Sequence, residues 1–456
     1  ILSKILLINP SKWGRGITPI WIASHSAVLK SKGHTVQLFD CTFFENWTVN
    51  EIKYNTENKQ YKSSNYFDYI SYNKKDIIES LQTYIDEYEP DIIFWSAFSS
   101  HIHGEGEYVN IQYGNQLIES ISTGALKIAG GLQPTAQPKE IARIFSKLDY
   151  FIRGESEFVL CEIAARYQDR KALRTIRGVT YLDGDEVIVN QKQDMIRDMD
   201  NIPPYDYSMF EDHIFFRPYN GIVERAVDYE LSRGCIYACS YCVESVIQEY
   251  YGFSEVRQGV IRNAQTYLRH KSAERIFLEL TELHVKYGIT LIRSQDTNFL
   301  TINRRMLTAL AVLLDNSDLG IKLYIETRPE EIHPQSINLL KKLKVDGIGM
   351  GIEVATEGFR KDSLNRYASQ DKIVRAFKLL REAGIKRTAY NIIGLPMETE
   401  EMIIDTIDFN RLIDPDNITV AFYSPYIGTR EQEKSKDLNY FDEYEYHVDG
   451  QLRSVS

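Results

Sequence analysis

Two stretches of the chain share one rhythm: a short apolar run, then a longer segment whose apolar residues recur every three or four positions. In the first stretch the runs fall at residues 4–10, 35–40, 90–96, 125–131 and 150–155. Runs this short, without the alternation of a half-solvated strand, belong to parallel strands covered on both faces. Residues 20–32 predict a helix that Gly33 is placed to end, and residues 76–88 predict another. The polar residues near 48–75 read as an irregular insertion. Strands alternating with helices predict an α/β fold with a doubly wound, Rossmann-like parallel sheet, which receives ligands at the carboxyl ends of its strands.

The rhythm resumes further on. A strand-like run at 229–234 and strands at 290–296, 322–328, 347–353, 386–394 and 418–423 alternate with helices of a dozen or more residues, one reaching from 275 to 287 and closed by Gly288. Six such units make a partial TIM barrel, open on one side, with its chemistry at the carboxyl-terminal mouth. The polar residues that end these strands, from Asp296 to Glu353, are expected to face that mouth. The domain boundaries that follow are 1–210 for the sheet domain with its linker, 211–430 for the barrel, and 431–456 for a short extension. That extension is too small for a core of its own. With its run Tyr440-Phe441-Asp442-Glu443-Tyr444-Glu445-Tyr446 it reads as a solvated tail.

Composition narrows the class. The chain has 456 residues, enough for two or three domains, and 43% hydrophobic residues, a globular content. No apolar run is long enough to span a bilayer. A net charge of −11 argues against general nucleic-acid binding, which wants a basic face. Five cysteines, an odd number, with no signal peptide, favour a reducing cytoplasmic address over a disulfide framework. The first residue is not Met and the chain stops abruptly at Ser456, so both ends read as trimmed.

The chemistry concentrates in Cys235-x-x-x-Cys239-x-x-Cys242, directly after Tyr229-Glu230-Leu231-Ser232-Arg233-Gly234. Thiolates are soft ligands that suit iron–sulfur clusters or zinc. Structural zinc wants a fourth ligand. Cys41 and Cys161 stand alone and far away as ordinary buried thiols, and His213 and His270 sit at no usual ligand spacing. Three thiolates on one loop can instead hold three irons of a four-iron cluster and leave the fourth open to substrate.

This spacing, and the strand ends that follow it, resemble the radical S-adenosylmethionine (radical SAM) superfamily. The first 210 residues resemble the cobalamin-binding domain that precedes some of these enzymes, through Gly130-Gly131-Leu132-Gln133-Pro134-Thr135, Arg153-Gly154-Glu155-Ser156-Glu157, Gly178-Val179-Thr180-Tyr181, Asp183-Gly184 and Asp200-Asn201-Ile202-Pro203-Pro204-Tyr205-Asp206. The resemblance implies a 4Fe-4S cluster on Cys235, Cys239 and Cys242. It implies a S-adenosylmethionine site built from Tyr241 near the adenine, Ser294, Gln295 and Asp296 at the methionine amine, Arg328 at the methionine carboxylate and Glu353 on the ribose. Ile393 and Tyr423 join this set from the late motifs Asn391-Ile392-Ile393-Gly394-Leu395-Pro396 and Ser424-Pro425-Tyr426-Ile427-Gly428-Thr429. It implies a cobalamin site at Asn9, Pro10, Ser96, Ser99, Gly130, Gly131, Thr135 and Glu155. Classical cobalamin carriers place a histidine after the first strand. Here the loop is Asn9-Pro10-Ser11-Lys12-Trp13-Gly14-Arg15-Gly16, so cobalt is expected to lack a protein histidine, with His25, His34, His101 and His103 in no cobalt role.

The reaction so implied is that of a cobalamin-dependent radical SAM methyltransferase: cleavage of S-adenosylmethionine to a 5′-deoxyadenosyl radical, and transfer of methyl from methylcobalamin to an unactivated carbon or phosphorus. The alternative is a cyclase or rearrangement enzyme without methyl transfer. An electron-transfer protein would not need the ordered strand-end motifs. A methylthiolating enzyme would want three more N-terminal cysteines. The implied partners are a small-molecule or peptide substrate and a reductant such as flavodoxin or ferredoxin.

Overall fold

The computed structural model describes residues 2–48, 62–96 and 107–440, the side chains of 107–110 excepted. Ser99, His101, His103 and the aromatic–acidic tail beyond Tyr440 lie outside the described residues. The first sheet has strands β1 (Lys4–Asn9), β2 (Thr35–Asp40), β3 (Ile92–Trp95), β4 (Leu126–Gly130), β5 (Tyr150–Ile152), β6 (Val179–Asp183) and β7 (Glu186–Val189), in the order β2-β1-β3-β4-β5-β6-β7. The first five are parallel, as their apolar runs require: Ile5, Leu6, Leu7 and Ile8 are all fully buried. The last two form an antiparallel hairpin turned at Gly184-Asp185, so the parallel sheet ends in a mixed edge. Part of the presumed irregular insertion is structural, since Tyr66 is fully buried and its hydroxyl accepts the Gly16 amide at 2.8 Å.

The second sheet is a curled half-barrel. Strands β8 (Phe216–Tyr219) and β9 (Ile222–Tyr229) form a hairpin, and β9 starts the parallel series. The chain then makes short pairings, β10 (Ser232–Arg233) with β13 (Arg269–His270) and β11 (Val256–Arg257) with β12 (Val260–Ile261). It continues through β14 (Leu291–Ser294), β15 (Lys322–Glu326), β16 (Val345–Glu353), β17 (Lys386–Ile393) and β18 (Asn417–Phe422). The order β18-β17-β16-β15-β14-β9-β8 gives the six parallel strands expected, plus one antiparallel edge. The strand before the cysteines is 222–229; the run at 229–234 is where it leaves the sheet, because Leu231 and Ser232 give their amides to a side chain and not to a neighbouring strand.

Inside the barrel, alternate residues of β16 are Gly347, Gly349 and Gly351. A methyl group there would lie 2.7 Å from the Tyr219 hydroxyl, 2.4 Å from the Tyr390 hydroxyl and 2.1 Å from a Glu353 carboxylate oxygen, respectively. The glycines therefore make room for two tyrosines and one acid. Beyond the last strand, Arg430–Asp437 is a helix and not a solvated tail. Glu431 is buried, and its carboxylate takes the Ser240 hydroxyl at 3.0 Å, which anchors the helix on the cysteine loop.

The two domains meet through buried polar contacts. Gly16 packs against β8 so closely that a methyl group would sit 2.2 Å from the Ile214 carbonyl; its own carbonyl accepts Arg217 Nε at 2.9 Å. Thr18 donates its amide to Asp228 at 3.0 Å, and Arg217 forks onto the same carboxylate at 2.7 and 3.0 Å. On the other flank, Arg233 and Arg269 of the barrel grip Glu155 and Glu157 of the sheet domain. Among the described residues no helix is long and apolar enough to cross a membrane.

Candidate active site

A cavity of about 250 Å³ opens at the carboxyl ends of the barrel strands. Cys235, Cys239 and Cys242 form one wall, and Tyr241, Asn298, Arg328, Glu353, Arg366 and Tyr423 lie around it. All three cysteines are buried and free. Cys242 caps the helix Val243–Tyr250 and accepts the Glu244 amide at 3.4 Å; the Tyr237 amide reaches Cys235 at 3.4 Å. Burial pushes the Cys235 thiol well up, and the Glu244 charge adds to it; burial and the neighbouring Cys239 do the same to Cys242. Such thiols stay protonated until a bound metal favours the thiolate. Among the described residues no three His, Cys, Asp or Glu side chains close on a single ion. Three soft donors spread around one wall suit a cluster better than zinc.

The polar set beside the thiols is only partly spent. The Tyr241 hydroxyl donates to Glu353 at 2.9 Å and accepts Arg366 at 3.2 Å, while Arg366 also holds the Gly351 carbonyl at 2.6 Å. Glu353 carries this carboxylate from a left-handed backbone, φ +63°. Asn298 accepts the Thr327 hydroxyl at 2.6 Å, but its Nδ2 has no partner. Arg328 Nε, Arg366 Nε and one Glu330 oxygen are likewise buried without partners. Native interiors rarely leave such groups unmatched. Unspent donors of Asn298, Arg328 and Arg366 beside the thiols match a ligand bearing a carboxylate.

The structure brings Cys235, Cys239, Cys242, Tyr241, Arg328, Glu353 and Tyr423 to this cavity. Ser294, Gln295 and Asp296 are buried behind it. Asp296 accepts the amides of Leu231 and Ser232 at 3.1 and 2.6 Å and the hydroxyls of Ser232 and Ser294, both at 2.5 Å. Burial lifts its carboxyl to about 6 against those donors. It fixes the turn that leads into the cysteine loop. Gln295 bonds Asp228 of the domain interface. Ile393 lines an outer cleft with Ile403, Ile407 and Ile418. Asn298, Arg366 and Tyr390 line the cavity and were missed. Asn298 follows Asp296 by two residues on the same strand-end loop, a position that the strand pattern marks; Arg366 sits on a loop with no periodic signal.

In the sheet domain, Asn9 is turned to Asp40 at 3.0 Å, and Pro10 accepts Trp47 Nε1 at 3.3 Å. Ser96, Gly130 and Gly131 sit at the ends of β3 and β4, and Thr135 lies on the helix that follows, Leu132–Ala136, its hydroxyl accepting the Gly154 amide at 2.9 Å. The Glu155 carboxylate is spent on Arg269 at 2.9 and 3.0 Å, on Arg233 and on the Ile196 amide. His25 and His34 are packing residues: both are buried, His25 on Ser156 at 2.7 Å and His34 on Ser3 at 2.9 Å. Unassigned from sequence are Gln133, 1% exposed with neither amide atom bonded, and Gln112, Asn115 and Gln137, each with an unpartnered buried carbonyl oxygen. The helix Leu132–Ala136, which carries Gln133, packs on the cysteine-capped helix Val243–Tyr250.

A half-barrel with three cysteines at its mouth defines the class. Residues 229–409 match the Radical SAM superfamily. The chain is 24% identical over 458 residues to an anaerobic magnesium-protoporphyrin IX monomethyl ester cyclase of Cereibacter sphaeroides, over 97% of this chain and 66% of that one, just under two thirds. It is 24% identical over 349 residues to an uncharacterized methyltransferase of Pyrococcus horikoshii, over 76% of this chain and 69% of the other. The structure of the radical S-adenosylmethionine methyltransferase TsrM from Kitasatospora setae, with cobalamin and a 4Fe-4S cluster bound, superposes with a TM-score of 0.68 at 16% identity, over 96% of this chain and 78% of TsrM. The cobalamin-dependent S-adenosylmethionine radical enzyme OxsB, with aqua-cobalamin and S-adenosylmethionine bound, gives 0.66 at 15% identity, over 99% of this chain and 64% of OxsB. The same succession of sheet domain and half-barrel is thus shared.

Proposed function

We propose that the protein is a cobalamin-dependent radical SAM methyltransferase. The observation that carries the radical chemistry is one cavity that holds three buried thiols beside unspent donors of Asn298, Arg328 and Arg366. Cys235, Cys239 and Cys242 would hold a 4Fe-4S cluster, and Asn298, Arg328 and Arg366 would engage the amino-acid end of S-adenosylmethionine. The Tyr241–Glu353 pair is left for its nucleoside. Gln112, Asn115, Gln133 and Gln137 have the amide chemistry to meet the peripheral amides of a corrin. When bound, these cofactors supply one-electron cleavage of a sulfonium and a transferable methyl group. The chain's own part is to orient them and to exclude water, with the cysteine loop as one wall of the cavity.

The relative named a methyltransferase and the fold shared with TsrM support methyl transfer. A cyclase acting without methyl transfer is the second reading, favoured by the cyclase relative that matches 97% of the chain. A substrate-free assay separates them. The reduced, reconstituted protein should form S-adenosylhomocysteine only when cobalamin is present. Release of 5′-deoxyadenosine with no S-adenosylhomocysteine would overturn methyl transfer in favour of the cyclase. No cleavage of either kind, or a Cys235→Ala variant that cleaves like wild type, would remove radical chemistry altogether. The assignment of domains 1–210, 211–430 and 431–456 and a small-molecule or peptide substrate belong to this same proposal.

A further inference from the structure

Each of the three thiols accepts one N–H···S hydrogen bond, and one of the three donors differs in kind from the other two. Cys235 and Cys242 receive backbone amides, from Tyr237 and Glu244, both at 3.4 Å. Cys239 receives the Nη1 of Arg328 at 3.8 Å, the one charged side-chain donor among these contacts. The guanidinium has little freedom to leave. Its Nη2 is ion-paired with Glu330, its plane lies over the Tyr237 ring at 3.8 Å, and Arg328 is only 6% exposed. Tyr237 itself is tied by its hydroxyl to Glu331 at 2.6 Å. Two of the three guanidinium nitrogens are therefore spent before any ligand enters, one of them on a cluster cysteine.

We propose that Arg328 is a positioning residue that tunes the reduction potential of the cluster, through its hydrogen bond to the Cys239 sulfur, independently of S-adenosylmethionine. This rests on the cluster assignment proposed above. Hydrogen bonds to ligand sulfurs and nearby positive charge favour the reduced, more negative cluster, so they raise the potential. A backbone amide does the same at Cys235 and Cys242 but leaves the potential beyond the reach of side-chain change; at Cys239 it is set by one residue. Arg differs from Lys here because its planar fork can hold Glu330 and Cys239 at once, whereas an ammonium offers only a point charge.

The test is a redox titration of the reconstituted cluster, followed by electron paramagnetic resonance without S-adenosylmethionine, in wild type, Arg328→Gln and Arg328→Lys. In Arg328→Gln the reduced-to-oxidised ratio at a fixed poise should fall at least tenfold, a shift of 59 mV for one electron. Arg328→Lys should fall between. Pulsed spectra in deuterated buffer should lose one exchangeable-proton coupling in Arg328→Gln, a change that a general loosening of the fold would not produce. Equal potentials in all three proteins would overturn the proposal. So would a shift that appears only after S-adenosylmethionine is added, which would confine Arg328 to its contact with the methionine end. If Arg328→Gln takes up no cluster, Arg328→Lys decides by the same criterion. A wild-type protein that assembles no brown cluster brings down the proposed function instead, and is recognised before any titration.

Discussion

Replacing Arg233 by Met tests how the domains are held. Arg233 donates to Glu157 at 2.6 Å, to Glu230 at 2.8 Å and to Glu155 at 3.3 Å, and none of these side chains is more than 9% exposed. Glu155 keeps Arg269 in the variant, and Glu230 keeps the Tyr205 hydroxyl at 2.5 Å. Glu157 is left with the Ser24 hydroxyl and the neighbouring His25. Burial alone would raise its carboxyl; Arg233, then His25, outweigh that and hold it at about 2, against an ordinary 4.5. A difference of that size corresponds to about 3 kcal/mol at neutral pH, and removal of one partner from a buried pair typically costs about 3–5 kcal/mol. Because the folded value is depressed, this contribution is complete above 4.5 and is lost as pH falls towards 2. In Arg233→Met the same carboxyl rises above its ordinary value, so acidification relieves the variant first. All four tryptophans lie in the sheet domain, so their fluorescence during urea unfolding follows that domain. The expected gap from wild type is about 3 kcal/mol at pH 7.5, narrowing at pH 5.5, and the double change Arg233→Met with Glu157→Gln should recover about 2 kcal/mol of it. A gap under about 1 kcal/mol, or one that ignores both pH and Glu157→Gln, would refute the reasoning.

Three further outcomes follow from the geometry. Gln133→Leu should stabilise the apoprotein by about 1 kcal/mol, because it removes a buried amide with no partner, yet weaken cobalamin retention on gel filtration. Asp296→Asn should cost about 2–4 kcal/mol, because an amide nitrogen would face the Leu231 and Ser232 amides, and lower the iron bound per chain. Gly351→Ala should leave the fold intact by circular dichroism but reduce S-adenosylmethionine binding at least tenfold by calorimetry, since the added methyl group falls 2.1 Å from the Glu353 carboxylate.

Much of the architecture was legible because parallel strands buried on both faces announce themselves. Residues 35–40 were read to the residue, and the helix at 76–88 to within one. The hairpin Val179–Asp183 and Glu186–Val189 was not read as strands, because its residues are short, mixed and half-solvated on the edge of the sheet. The site divides along a similar line. The cysteines are local in sequence, so their spacing was enough. Whether a strand-end acid faces the cavity depends on a neighbour that pairing brings from far away. Asp296 turns inward because β14 lies beside β9, whose end exposes the amides of Leu231 and Ser232 some 65 residues earlier.

Glu155 shows the same limit from the other domain, and it changes what the sheet domain can do. Its motif reads as ligand-binding, yet its carboxylate is shared between two arginines of the barrel, one of them two residues before Cys235. The loop that bears Glu155 and Glu157 is thereby bonded to the segment that enters the cysteine loop, while Thr18 and Gly16 tie the opposite flank to Asp228 and Arg217. Two buried polar clamps at separate points join the sheet to the barrel, and parting the domains would break charge-assisted hydrogen bonds at both. A cofactor seated at the ends of β3 and β4 would therefore rest on a sheet domain that is clamped to the barrel on both flanks, one clamp reaching the segment that enters the cysteine loop.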